Sequence, residues 1–173
     1  MYRAQQFVRA LTARMNGRDW AEVADILTPA QRVLFERMPR YDRRHSLNVA
    51  RTLRAAGHHT PDLLAAALLH DVAKATGPLR LWHRVTIVLL KALAPAAWQR
   101  LAQETEPDHW RYPFFAHRLH PEIGARWAEQ AGCSPLTVWL IAHHQSRPKQ
   151  IEPQGETEPM RLLALLRWAD DRN

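Results

Sequence analysis

Leu63-Leu64-Ala65-Ala66-Ala67-Leu68-Leu69 is an unbroken apolar run, and it delivers an adjacent His70-Asp71 pair with Lys74 three residues on. An imidazole and a carboxylate at the edge of a core are metal-binding groups. Neighbouring side chains on a regular helix diverge by about 100°, but at a helix end, where the turn tightens or unwinds, both can lean toward one point. Alone, the pair is equally compatible with His70 closing a helix and Asp71 solvated. The same chemistry recurs at His45, His120, His143 or His144, and Asp170. Each lies at or near the inward side of a separate segment. Several helices that each bring one imidazole or carboxylate to a common point is how bundles build metal sites. Such ligands, without thiolates, suit Fe, Mn, Zn, Co or Ni, or Mg in part. The one cysteine, Cys133, excludes an internal disulfide framework and a zinc ribbon.

The elements that must position these groups read as helices throughout, with no strand-like alternation and no internal repeat, so the expected fold class is all-α. Residues 2–15 carry Phe7, Val8 and Leu11 at helical spacing, and Asn16-Gly17 stops them. A short helix follows over 18–27. Thr28-Pro29-Ala30-Gln31 spells a capping box with proline at the first helical position, and its helix ends near Met38-Pro39. Residues 1–38 thus read as a helical extension packing on a core domain over 39–173. In a core helix over 40–56, Tyr41, His45, Val49, Thr52 and Leu53 share a face, and Gly57 ends it. A lone histidine there is more often a hydrogen-bonded core residue than a ligand. Thr60-Pro61-Asp62 caps the helix that leads to His70-Asp71.

Thr76-Gly77-Pro78 breaks the chain before an amphipathic helix over 79–94 with an unusually apolar middle. Core packing explains that middle, with a membrane-surface role as the lesser option. A helix over 95–103 follows, then an aromatic-rich segment over 109–119. His120-Pro121 places the proline at the first position of a helix running to Gln130, which sets His120 at a helix mouth. Ser134-Pro135 caps a helix ending at His143-His144, with Leu136, Leu140 and Ile141 marking its buried side. Residues 146–158, with Pro148 and Pro153, read as a loop. In the last helix, 158–171, Leu163 and Leu166 put Asp170 toward the core and leave Asp171 as the exposed acid.

A chain of 173 residues is one domain by default and can bury a deep site. No apolar run approaches the roughly 18 residues of a transmembrane helix. The first residues, Met1-Tyr2-Arg3-Ala4-Gln5-Gln6, contain no signal-peptide core, so a cytoplasmic protein is expected. The net charge of +7 favours an anionic partner. The arginines are scattered and no basic run is interleaved with aromatics, which points to an enzyme for small anions rather than a dedicated nucleic-acid-binding module.

At these residues the sequence resembles the HD-domain superfamily of metal-dependent phosphohydrolases. The ordered match is His45 in Arg44-His45-Ser46-Leu47-Asn48-Val49-Ala50, His70-Asp71 in Leu68-Leu69-His70-Asp71-Val72-Ala73-Lys74, and Asp170 in Trp168-Ala169-Asp170. His120-Pro121-Glu122-Ile123-Gly124-Ala125 and Ile141-Ala142-His143-His144 look like the extra elements of the subset that binds two metals. The Gly-Tyr-Pro signature of the cyclic-dinucleotide phosphodiesterases does not follow His143-His144; Gln145-Ser146-Arg147-Pro148 stands there instead, against that branch.

The resemblance implies a single helical HD-type domain with N-terminal accessory helices, hydrolysing a nucleotide or other small phosphoester. It implies one or two divalent metal ions per chain. His45, His70, Asp71 and Asp170 would hold one, and Asp71 would bridge to a second held by His120 and His144. His144 is preferred over His143 from motif position and the Leu140/Ile141 face. Two cations about 3.5–4 Å apart would activate water and neutralise phosphoryl oxygens, so no side-chain nucleophile is needed. Asp71 and Lys74 are the expected catalytic residues, Lys74 pairing with a substrate phosphate. Arg44, Arg147 and His143 are weaker expected substrate contacts. Two other classes stand beside this: a di-iron oxygenase of the same fold, and a non-catalytic HD-like domain sensing a nucleotide. An oligomer is possible, and the extension or the 79–94 helix could form its face.

Overall fold

The computed structural model describes residues 15–76, 81–146 and 157–173. Among these residues every regular element is a helix: α1 (Gly17–Ile26), α2 (Pro29–Arg37), α3 (Arg40–Ala55), α4 (Pro61–Leu69), a 3-10 helix (Val72–Thr76), α5 (Leu81–Leu93), α6 (Pro95–Leu101), α7 (Tyr112–Gln130), α8 (Pro135–His143) and α9 (Glu158–Asp170). The all-α expectation is met. The helix expected over 2–15 falls almost wholly outside the described residues, as do Gly77, Pro78 and most of the 146–158 loop.

α4 is the centre of the bundle. Every residue from Leu63 to Leu69 is buried, as suits a helix that is apolar all round. α3, α8 and α9 pack around it, with α1 and α2 closing another side. Val23, Leu27, Leu34, Phe35 and Met38 of the first two helices belong to the same hydrophobic cluster as Leu47, Leu53, Leu140, Ile141 and Leu166. Each such side chain contributes roughly 1.5–3 kcal/mol through the apolar surface it withdraws from water. A clasp reinforces the junction. Asp19, almost fully buried, accepts from Arg44 at 2.7 and 3.1 Å and from Arg51 at 2.7 Å.

The helix ends follow local chemistry. Asn16 caps α1 in a reciprocal box with Asp19, so it starts that helix rather than only ending the segment before it. Thr28 and Gln31 form the expected box at α2. Ser134 accepts from the Thr137 amide at α8. After α3, Gly57 takes φ +83°, and the amides of Gly57 and His58 return to the carbonyls of Arg54 and Leu53. That left-handed step favours glycine. Thr60, expected to cap α4, makes no side-chain cap bond. Asp62 is used instead: its carboxylate accepts from the hydroxyls of Ser134 and Thr137, tying the start of α4 to the start of α8.

One expected break is absent. α7 runs through Pro121 without interruption, so His120 lies inside a helix rather than at a mouth. A proline in a helix interior removes an N–H from the carbonyl four residues back, here His117. The His120 ring supplies the missing donor, with Nδ1 2.5 Å from the His117 oxygen. Burial of Pro121 and packing of α7 on α8 and the 3-10 helix hold the segment in place. At Gly124 an added Cβ would already touch Val72, Ala73 and Ile141 at 3.4–3.7 Å, so the approach there is close.

Candidate metal centre

The apolar run of α4 ends at His70, which caps the helix; Asp71 lies in the turn before the 3-10 helix. Asp71 stands at the middle of the site. Its Oδ2 is 3.4 Å from His70 Nε2 and 3.9 Å from His45 Nε2. Its Oδ1 is 3.3 Å from His120 Nε2 and 3.7 Å from His144 Nε2. Asp170 Oδ1 closes the first side, 2.8 Å from His45 Nε2 and 3.6 Å from His70 Nε2. Two triads result, His45/His70/Asp170 and Asp71/His120/His144, and in each the potential ligand atoms lie within 4.8 Å of one another. α3, α4, α7, α8 and α9 each carry one imidazole or carboxylate to this point, on the helix or at its end, and the turn after α4 adds Asp71.

All four histidines present Nε2 to the centre. Three of them are aimed by one device, the Nδ1 edge against a carbonyl three residues back: His70 on Ala67, His120 on His117, and His144 on Ile141. Ala67 and Ile141 lie in the last turns of α4 and α8, where carbonyls lack helical partners; proline exposes the third. A proton held at Nδ1 by a carbonyl leaves the Nε2 lone pair free for a cation. Arg167 secures the end of α8. Its guanidinium donates to the carbonyls of His143 (2.7 Å), His144 (2.9 Å) and Ser146.

The donor set fits a divalent cation. His70 Nε2 and Asp71 Oδ1 are buried with no hydrogen-bond partner, an arrangement that ordinarily costs about 1–3 kcal/mol per group. A cation would satisfy both. The charges agree. Burial opposes ionisation at His70, but the Asp71 and Asp170 carboxylates outweigh it and push the imidazole up to about 10. Burial would raise the Asp71 carboxyl, yet His70 and Lys74 hold it well below the carboxylate range. Asp170 is held low in the same way by His70 and His45. His120 is pushed down to about 4, chiefly by burial, and His144 is also lowered by burial. The second triad is therefore neutral at its imidazoles near pH 7, whereas His70 carries a proton where the first triad would take a metal.

A cavity of about 400 Å³ opens beside the first triad, reaching His45, Asp71 and Asp170. Lys74 lies on its wall with Nζ 2.6 Å from Asp71 Oδ2. Tyr41 stacks beside His45 at 6.5 Å between ring centres. Asp42, Lys91, His117 and Gln145 also line the cavity and were not singled out from the sequence. His117 had a signal: it sits one turn before His120. Its imidazole is pushed down to about 2, first by burial and then by neighbouring charge.

The remaining expected residues lie elsewhere. His143 stacks on Trp139 at 4.5 Å and turns Nδ1 to the Trp139 carbonyl, outside both triads. Arg44, expected near a substrate phosphate, is held by Asp19 because α1 brings a buried carboxylate to it. Arg147 falls outside the described residues.

A family model of the HD domain matches residues 43–171, a span that contains every residue of both triads. No curated protein and no solved structure gives a significant match. With the family model covering most of its length and the His…His-Asp…Asp order gathered at one centre, the chain belongs to the HD-domain family.

Proposed function

We propose that the chain is a metal-dependent phosphohydrolase that holds two divalent cations and cleaves a small phosphoester, such as a nucleotide. The observation that carries this reading is the orientation of Asp71, with one carboxylate oxygen turned to each triad. A carboxylate so placed is suited to bridge two cations. His45, His70 and Asp170 would complete the first site, and His120 and His144 the second. Bound there, the cations would supply an activated water and neutralise charge on phosphoryl oxygens.

The chain's own residues define the rest. The Nδ1 anchors keep the lone pairs of His70, His120 and His144 converged without rearrangement. Lys74, its charge kept by Asp71 against the effect of burial, stands on the cavity wall where a phosphoryl oxygen would enter. Tyr41, Ile87 and Val88 give that cavity apolar surface for the remainder of the substrate. Its volume suits a small molecule rather than a polymer. A cytoplasmic setting belongs to the same reading, with Cys133 a free thiol.

The test is metal content by elemental analysis of protein purified without chelator, together with a phosphoester screen. The expected result is about two ions per chain, falling toward one in His120→Ala, with metal-dependent release of phosphate. No metal retained or taken up on reconstitution would overturn the reading, as would full metal loading without hydrolysis of any phosphoester.

A further inference from the structure

α5 and α6 are unlike the rest of the bundle. Trp82, Val85, Val88, Leu89 and Leu93 are 51–79% exposed on α5, and Trp110 beside them is 65% exposed. Successive helical residues turn by about 100°, so Trp82, Val85, Leu89 and Leu93 form one continuous stripe. α6 buries none of its residues. Trp82 and Trp110 both stand edge-on to Phe114, 6.2 and 6.4 Å between ring centres, and so flank one end of the stripe. An apolar face of this extent on a soluble surface marks a contact site.

The charge around it identifies the occupant. From Val72 to Gln103 the chain has no Asp or Glu, but has Lys74, Arg80, Arg84, Lys91 and Arg100. An acid-free basic segment with a tryptophan-flanked aliphatic stripe matches a helix lying in the plane of an anionic bilayer surface. Spanning is excluded for it, since no helix among the described residues is long and apolar enough to cross a membrane. A second copy is a poorer match, because docking this face on itself would oppose two copies of a segment that carries basic residues and no acid.

We propose that α5 and α6 form a docking face for an anionic lipid surface. Trp82, Val85, Leu89 and Leu93 enter the headgroup boundary, and the exposed Lys91 and Arg100 meet lipid phosphates. Val88 and Lys91 also line the cavity beside the first triad, so the docked face borders the mouth of the site. The inference stands independently of the hydrolase reading.

The test is co-sedimentation of the full chain with vesicles of phosphatidylcholine alone and of phosphatidylcholine mixed with phosphatidylglycerol. The expected result is binding to the mixed vesicles that is weakened roughly tenfold or more in neutral vesicles or at high salt. The double variant Leu89→Glu/Leu93→Glu, altered only at exposed positions, should lose that binding while its Tm is unchanged. No binding to either vesicle, or equal binding to both, would overturn the proposal. So would a dimer, seen by light scattering, that the double variant converts to monomer, because the face would then belong to a second copy.

Discussion

Asp71 concentrates the chemistry of the site in one side chain, because both triads face its carboxylate. Asp71→Asn keeps the shape but removes the charge that would bridge two cations. Metal content should fall in both sites and hydrolysis by at least about a hundredfold. A variant that lost one ion and stayed active would show that Asp71 does not bridge. His70 gives a pH dependence with a defined sign. In the metal-free chain its folded pKa is raised from 6.5 to about 10. Protonated His70 therefore stabilises the metal-free fold fully below about pH 6.5, and this contribution disappears as pH rises through about 10. Metal needs the neutral ring, so uptake at the first triad should release a proton and tighten with pH over that window. The second triad, with His120 down at about 4, should show little such dependence above neutrality. Calorimetry in buffers of different ionisation enthalpy counts the proton; equal pH dependence at both sites would contradict the assignment.

At the scale of elements, the site depends on how helix ends are held. Arg167 joins α9 to the last carbonyls of α8 and so fixes the backbone that carries His144. Arg167→Ala should leave those carbonyls unpaired, destabilise the chain by about 1–3 kcal/mol, and weaken the second metal site more than the first. Titrating metal into the variant checks this; an unchanged second site would reduce Arg167 to a purely structural tie. The role of Arg167 was not legible in sequence. The reach from α9 to the end of α8 is a tertiary event with no local signature. Pro121 misled for a related reason. Local rules read a proline as a helix start, whereas the His120 side chain, returning to the orphaned His117 carbonyl, and the packing of the buried Pro121 segment let α7 continue. By contrast, His70-Asp71 was legible because the apolar run Leu63–Leu69 reads as a buried helix that ends at the core's edge and because His45, His120 and Asp170 repeat the same chemistry on other helices. Asp170 was legible from the spacing of Leu163 and Leu166. Arg44 was misjudged because its partner, Asp19, is distant in sequence.

For the whole molecule, a metal-loaded centre would act as a cross-link. Bound metal would join α3, α4, α7, α8 and α9 where the sequence alone offers a row of separate helices, and it would satisfy His70 Nε2 and Asp71 Oδ1, which are buried without a hydrogen-bond partner. Ligand that binds only the folded chain adds RT ln(1 + [L]/Kd), about 2.7 kcal/mol at a hundredfold excess over Kd. For a domain of this size 1 kcal/mol moves Tm by roughly 2–4 °C, so saturating metal should raise Tm by roughly 5–10 °C over the chelated chain. Asp170→Ala should lose much of that rise, since α9 then brings no ligand to the first triad. His143→Ala should keep it, because that ring packs on Trp139 outside both triads. Differential scanning calorimetry with and without Mn, Fe, Zn, Co, Ni or Mg decides the matter. A Tm that no metal moves would mean the converged imidazoles and carboxylates are held by packing alone. A rise equal in wild type and Asp170→Ala would place the bound ion away from the first triad.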